Sequence, residues 1–225
     1  MKNFYINIKK ILDNSSKKIK FKENKDDYSM LTENDLIVQK KIIKLIKKNF
    51  PDVDQFVCEE NFSIKKLEKI NFRKPFAIID PIDGTENFFS NDFMFGCLVS
   101  IFSKKKGNVD LIYIPKLNKM ITRNNVRKIC KKPKNNNNIS ILSTKCLGNK
   151  KYKGSIYRMY GSSAYSFYQF ITGKVNSFIY CDGSKIWDCF TGLRLLSLTN
   201  CKLNNEIKKW LVKPSFKLKF TVKWN

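Results

Sequence analysis

The chain of 225 residues contains no histidine. No imidazole can therefore act as general acid, general base or metal ligand, which excludes Ser-His-Asp, Cys-His and histidine-zinc chemistries. Arginine is scarce: of 44 basic residues only Arg73, Arg123, Arg127, Arg158 and Arg194 are arginine, the rest lysine. No apolar run reaches the roughly 18 residues needed to span a bilayer, and no signal peptide is evident, so the protein is expected to be soluble and cytoplasmic. Cys-x-x-Cys pairs are absent as well. The odd set of seven cysteines, Cys58, Cys97, Cys130, Cys146, Cys181, Cys189 and Cys201, is expected to be reduced thiols serving mainly as small buried hydrophobes.

What the chain does have is a concentrated run of carboxylates. Asp80-Pro81-Ile82-Asp83-Gly84-Thr85-Glu86-Asn87-Phe88 follows the apolar Phe76-Ala77-Ile78-Ile79. A strand over residues 73–79 delivers Asp80, Pro81 ends the ladder for want of an N–H, and Asp83 returns to the same side of the turn. Carboxylate oxygens are the ligands Mg²⁺ prefers, with water and substrate phosphate completing its shell. Gly84 allows close backbone approach, and N–H groups from Gly84 and Thr85 onward form an anion seat if a helix begins there. Taken alone, the same residues also read as an ordinary turn, because Asp-Pro and Asp-Gly are common turn dipeptides.

Apolar spacing predicts helices over residues 4–19 and 35–50, the second ended by Pro51. A short strand at 55–58 ends at Glu59 and Glu60. Residues 97–103 and 109–114 read as a hairpin joined by Lys104-Lys105-Lys106-Gly107-Asn108. Further on, 139–143 and 175–180 read as strands, 163–172 as a helix closed by Gly173, and 187–197 as a helix with Asp188 in its first turn. An acidic residue there favours the helix on its own account by roughly 0.3–1 kcal/mol, so Asp188 reads as a cap as well as a ligand. Residues 123–138, basic and then asparagine-rich, read as an exposed connector between an N-terminal α+β half (1–122) and a C-terminal α/β half (139–225) of one compact domain.

The nonapeptide resembles the central D-P-I-D-G-T-x-N-F signature of the inositol monophosphatase superfamily, the Mg²⁺-dependent, lithium-sensitive phosphatases of sugar phosphates and nucleotides. Further segments match in order: Leu31-Thr32-Glu33-Asn34-Asp35 is similar to V-T-x-A-D, and Cys58-Glu59-Glu60-Asn61 to G-E-E-S. Arg158-Met159-Tyr160-Gly161-Ser162-Ser163-Ala164 is similar to R-x-x-G-S-A-A, and Trp187-Asp188-Cys189-Phe190-Thr191-Gly192 to W-D-x-A-A-G. The resemblance implies an α/β (α+β) layered αβαβα sandwich, usually dimeric.

It also implies roles. Glu59, Asp80 and the carbonyl of Ile82 would hold one Mg²⁺, while Asp80, Asp83 and Asp188 would hold a second. Thr85 and Glu59 would orient and activate the attacking water with Asp35 behind Thr85, in the two-metal scheme. Gly84, Thr85, Gly161, Ser162, Ser163 and Asp188 would contact substrate. The chain departs from the pattern in places. Cys58 replaces Gly, and Phe190-Thr191 replaces Ala-Ala, which is expected to hold that helix further from its neighbours. Cys181 stands where inositol phosphatases carry a sugar-binding Glu, with Asp182 beside it as a substitute, and Thr199-Asn200-Cys201-Lys202 replaces a Gly-rich turn. The expected activity is Mg²⁺-dependent hydrolysis of a small phosphomonoester: an inositol or sugar phosphate, or a nucleotide such as 3′-phosphoadenosine 5′-phosphate.

A net charge of +25 with 13% aromatic residues raises an alternative: a regulatory protein of this fold that binds RNA or a protein. Lysine in place of arginine argues against base-specific readout, since the planar guanidinium fork is what reads base edges. The same charge would also attract phosphorylated small molecules.

Overall fold

Spacing of four residues between Phe4, Ile8 and Leu12 lays one apolar stripe along helix α1 (Lys2–Ser15), and that stripe is buried. The computed structural model describes residues 1–15, 20–24, 30–61, 63–134, 139–143, 146 and 156–224. The predicted last turn of α1, residues 16–19, lies outside them. Strands β1 (Phe21–Asn24) and β2 (Met30–Thr32) form an antiparallel pair leading into α2 (Glu33–Asn49). Thr32 caps α2 in a reciprocal box with Asp35, and Pro51 follows the C-cap Phe50. Val38, Ile42 and Ile46 of α2 join Phe4, Ile8 and Leu12 against one face of a five-stranded sheet.

That sheet runs β3 (Gln55–Cys58), β4 (Phe76–Asp83), β5 (Gly96–Phe102), β6 (Val109–Ile114) and β7 (Lys119–Thr122), with β3 parallel to β4 and the other neighbours antiparallel. A one-turn 3₁₀ helix (Glu59–Asn61) and α3 (Ile64–Glu68) link β3 to β4. The predicted hairpin is the β5–β6 pair. Every residue of β4 is buried, and alternation divides them: Ala77 and Ile79 face α1 and α2, while Phe76 and Ile78 face the second core. Being covered on both faces is why this strand reads as a continuous apolar run and not as an alternation.

Helix α4 (Thr85–Phe89) leaves the end of β4, and α5 (Val126–Ile129) follows β7. The expectation of an exposed connector over residues 123–138 needs correcting in its first half. Val126 is fully buried, and Arg123 reaches the buried Asp110 at 2.6 Å. Residues 135–138 lie outside the described ones.

The second sheet has the order β11 (Lys217–Lys223), β10 (Ser177–Lys185), β8 (Ile139–Leu142), β9 (Ile156–Arg158). Between the two sheets lie α6 (Ser163–Ile171) and α7 (Ile186–Leu196), and α8 (Asn205–Val212) joins the same core through Ile207 and Trp210. The layers run helices, five-stranded sheet, helices, four-stranded sheet, the first four of the expected αβαβα order.

Two expectations about packing are corrected. Helix α7 is not held away from its neighbours. A Cβ on Gly192 would lie 2.3 Å from the Phe167 ring of α6, and the Thr191 hydroxyl sits 3.0 Å from Ser100 Oγ, which donates to Asp110 at 2.7 Å. Phe190 fills space beside Phe76, Phe102 and Trp210. Nor are all cysteines reduced: Cys146 and Cys181 form a disulfide with Cα atoms 5.6 Å apart. Cys181 lies on β10 and Cys146 just past β8, and the parallel pairing of those strands closes a sequence separation of 35. The other five are free, four of them buried, and burial pushes the Cys58 thiol up to about 12, as suits a small core hydrophobe.

Candidate active site

Strand β4 does not stop at Pro81; it continues to Asp83 through a bulge. Asp80 pairs with Leu98 and Asp83 with Gly96, so β4 advances three residues where β5 advances two. In a regular strand, side chains three apart point to opposite faces. The extra residue cancels that inversion and turns Asp80 and Asp83 to the same side, and Pro81 is tolerated because bulges relieve it of ladder duty. Asp188, from the first turn of α7, meets them there. One oxygen from each of Asp80, Asp83 and Asp188 lies within 4.8 Å of the others.

Each carboxylate is held differently. Asp83 accepts from Ser163 N (3.1 Å), Ala164 N (2.8 Å) and the Ser162 hydroxyl, so it sits on the N-terminus of α6. Asp188 accepts from Lys185 N at 3.2 Å. Asp80 Oδ1 is buried with no hydrogen-bond partner among the described residues. Burial raises the pKa of all three. For Asp80 the charges of Glu59, Asp83 and Asp188 add to it. For Asp83 the donors on α6 partly offset it, leaving a value of about 6. For Asp188 Glu59 and Asp83 push the same way. Such a cluster fits a divalent cation, which would give Asp80 Oδ1 a partner and neutralise the mutual repulsion.

Gly84 follows at φ +82°, where a Cβ would come within 2.8 Å of Ser162 Cβ, and its turn aims the first residue of α4 back at the cluster. Thr85 Oγ1 lies 3.1 Å from Ile82 O and 3.4 Å from Asp35 Oδ1, and its single proton can serve either. Asp35 is fully buried and fixed from behind by Thr32 N at 2.8 Å.

A cavity of about 180 Å³ opens beside these groups, lined by Glu59, Asp80, Asp83, Gly84, Thr85, Gly161, Ser162, Ser163 and Asp188 among others. Of the residues the sequence pointed to, Asp35 and Ile82 stand behind the cavity and not on its wall. Glu59 lines it but lies outside the tight group of three carboxylates. Ser162 is a helix cap whose hydroxyl is already committed to Asp83 and Tyr165 N, so it supports the Asp83 carboxylate and is not free for a substrate hydroxyl. The side chain of Asp182 lies outside the described residues, and Cys181 is tied into its disulfide.

Sequence reasoning missed two contributors. Asn87 donates through Nδ2 to Met94 O and Tyr160 O, both at 2.7 Å, and so pins the turn at Gly161 (φ +66°) beside the cavity. Its place in the nonapeptide was the available signal. Tyr160 lines the cavity, and its buried hydroxyl has no hydrogen-bond partner among the described residues; its place just before Gly161 in the R-x-x-G-S-A-A match was the available signal.

The family model described as "Inositol monophosphatase family" matches residues 3–197. The chain belongs to that family. Among curated proteins it is similar to a 3′(2′),5′-bisphosphate nucleotidase CysQ of Haemophilus influenzae, 33% identical over 93 residues, and to inositol monophosphatase 1 of Saccharomyces cerevisiae, 35% over 94. Each match covers 41% of this chain, and the matched segments span only 34% and 30% of those relatives. Among solved structures the fold is similar to an IMPase/NADP phosphatase complexed with NADP and Ca²⁺ (TM-score 0.75, 16% identity). A staphylococcal IMPase complexed with products gives TM-score 0.74 at 18% identity; both comparisons cover 98% of this chain and 87% of the other. At those identities the likeness establishes the layered α/β fold.

Proposed function

We propose that the protein is a Mg²⁺-dependent phosphomonoesterase acting on a compact phosphorylated alcohol. The observation that carries the reading is the trio Asp80, Asp83 and Asp188, which lines the same cavity as Thr85 and in which Asp80 Oδ1 has no hydrogen-bond partner among the described residues. Asp80, Asp83 and Asp188 would hold the cation, and Glu59, on the wall of the same cavity, would help to hold a second. Bound Mg²⁺ supplies charge neutralisation on the phosphate and a lowered pKa for the attacking water. When Thr85 donates its proton to Asp35, its oxygen lone pairs are free to accept from that water; as the water oxygen bonds to phosphorus and the ester P–O bond breaks, Glu59 would take the water's proton and the departing alkoxide would take one from solvent. Gly161, Ser163 and Tyr160 line the same cavity and would contact the departing alcohol.

The cavity volume bears on substrate. At about 180 Å³ it falls below the roughly 300–1,000 Å³ of sites that enclose drug-sized ligands. That volume accommodates a phosphoryl group on a polyol such as inositol or a sugar, whereas a whole nucleotide such as 3′-phosphoadenosine 5′-phosphate would extend through the open mouth. The family resemblance adds lithium inhibition and a homodimer to the reading.

The test is phosphate release by purified protein across inositol, sugar and nucleotide phosphates, with Mg²⁺ and with chelator. Activity on the polyol phosphates that requires Mg²⁺ and disappears in Asp80→Asn is expected. No release from any member of the panel, by folded protein that binds Mg²⁺, would sink the proposal. Preference for the nucleotide would overturn the substrate class alone.

A further inference from the structure

Away from the carboxylate cavity, two basic hollows adjoin on the C-terminal half. One, of about 450 Å³, is lined by Arg127, Lys132, Lys202, Lys223 and Trp224 among others. The other, of about 690 Å³, is lined by Lys131, Lys134 and Lys174, with Lys132 as the shared wall. Neither contains a carboxylate. All seven cations are exposed, and none takes part in the ion pairs found among the described residues. In a protein that pairs Arg123 and Arg194 with the buried Asp110, cations gathered around a concave surface without counter-charges point to an anion supplied from outside.

The position matters. The second hollow touches Ile139 and Asn176, at the beginning of β8 and just before β10, whereas the carboxylate cavity touches Leu142, Ser143 and Tyr180 further along the same strands. The two sites therefore lie toward opposite ends of one sheet. The walls are built from separate segments: Lys131 N donates to Ile171 O at 2.9 Å, and Trp224 N donates to Asn176 O at 3.0 Å. Seven of the residues around the first hollow, Leu198 to Lys202 with Lys223 and Trp224, fall outside the 3–197 stretch matched by the family model.

We propose that this double hollow binds single-stranded nucleic acid through its phosphate backbone. Its spread is too great for one phosphate group, and lysine dominates it, which suits point-charge contacts with successive phosphates and not base-edge readout. Trp224 marks the ligand as more than a string of charges. Its indole stacks on Phe170 with centroids 5.2 Å apart and planes 17° apart and donates to Phe170 O at 3.3 Å, which fixes an aromatic ring among the residues that line the hollow, where bases could stack. Another lysine-lined groove, formed by Lys10, Lys41, Lys44 and Lys48 on α1 and α2, has no aromatic ring in its wall and serves as an internal control.

The experiment is fluorescence anisotropy with labelled 12-mer uridine-rich RNA, the matching single-stranded DNA and a duplex, in chelator so that metal at the carboxylate cavity plays no part. The expected result is salt-sensitive binding of both single strands in preference to duplex. Lys132→Gln, Lys174→Gln and Lys223→Gln together should lower affinity roughly tenfold or more and reduce the slope of log K against log[salt] by about 2. The matched triple Lys10→Gln, Lys41→Gln, Lys44→Gln should leave both nearly unchanged, and Trp224→Leu should weaken single-strand binding without altering competition by heparin. Far-ultraviolet circular dichroism establishes that each variant is folded. Equal losses in the two triple variants, indifference to Trp224→Leu, or duplex binding as tight as single strand would each overturn the proposal. None of these readouts uses phosphatase activity, so the two readings stand or fall separately.

Discussion

Asp83 Oδ2 accepts a hydrogen bond from Ala164 N at 2.8 Å, so one residue is both a member of the carboxylate cluster and the anion that closes the N-terminus of α6. The two roles separate under substitution. Asp83→Asn keeps a side chain able to accept at a helix N-terminus, so its thermal midpoint should stay close to the parent's. Phosphate release should nevertheless fall by at least about 100-fold, as expected when a metal ligand loses its charge. Asp83→Ala should cost about 1–3 kcal/mol more in urea unfolding, because Ser162, Ser163 and Ala164 lose their acceptor. Equal stability for the two variants would refute the capping role.

Removing a charge where three crowd together should stabilise the protein while disabling it. Asp80 has like charges around it and an oxygen without a partner, so Asp80→Asn is expected to raise the midpoint of the metal-free protein and to abolish the stabilisation that Mg²⁺ gives the parent. Differential scanning calorimetry with and without Mg²⁺ measures both. A lower midpoint in the variant without metal would contradict this.

The same crowding sets a pH dependence. Carboxyls whose folded pKa is raised bind protons more tightly in the native state, so they favour folding below their unfolded value near 3.8 and lose that contribution as pH rises through the folded value. For Asp83 the window closes at about 6; burial and like charge raise Asp80 and Asp188 well above the ordinary value too. Metal-free protein should therefore lose stability across the interval from about 4 to 6 and beyond, and saturating Mg²⁺ should flatten the decline. Chelated samples scanned across that interval would show no such slope if the cluster were not coupled to folding.

The disulfide closes a loop spanning 35 positions and ties the exit of β8 to β10 next to the cavity. Peptide mapping without reductant should find Cys146 linked to Cys181 and the other five cysteines alkylatable after unfolding. In the chain-entropy treatment, Cys181→Ser should cost about 4 kcal/mol of stability under oxidising conditions. An unchanged unfolding midpoint in that variant would show that the bond contributes nothing to the folded state.

Gly84→Ala tests the turn between Asp83 and Thr85. At φ +82°, with a would-be Cβ 2.8 Å from Ser162 Cβ, the substitution should destabilise by about 1–3 kcal/mol and displace Thr85 from Asp35. Loss of phosphate release larger than the loss in Thr85→Ser, which keeps the hydroxyl, is the expected ranking.

The sequence by itself determined the family, the helices α1 and α2 through their apolar spacing, the β5–β6 hairpin, and which carboxylates to watch. Those features depend on neighbours along the chain or on short motifs, and period and composition report them directly. Only the tertiary structure decided how they combine. The bulge that turns Asp80 and Asp83 to one side exists because β4 pairs with β5, and Asp188 joins them because α7 packs between two sheets. Ser162 proved to serve Asp83 before any substrate, and Cys146 found Cys181 through strand pairing across 35 positions. The run Asp80-Pro81-Ile82-Asp83 thus named the carboxylates, while the register of its strand against β5 decided that they turn to one side and meet Asp188.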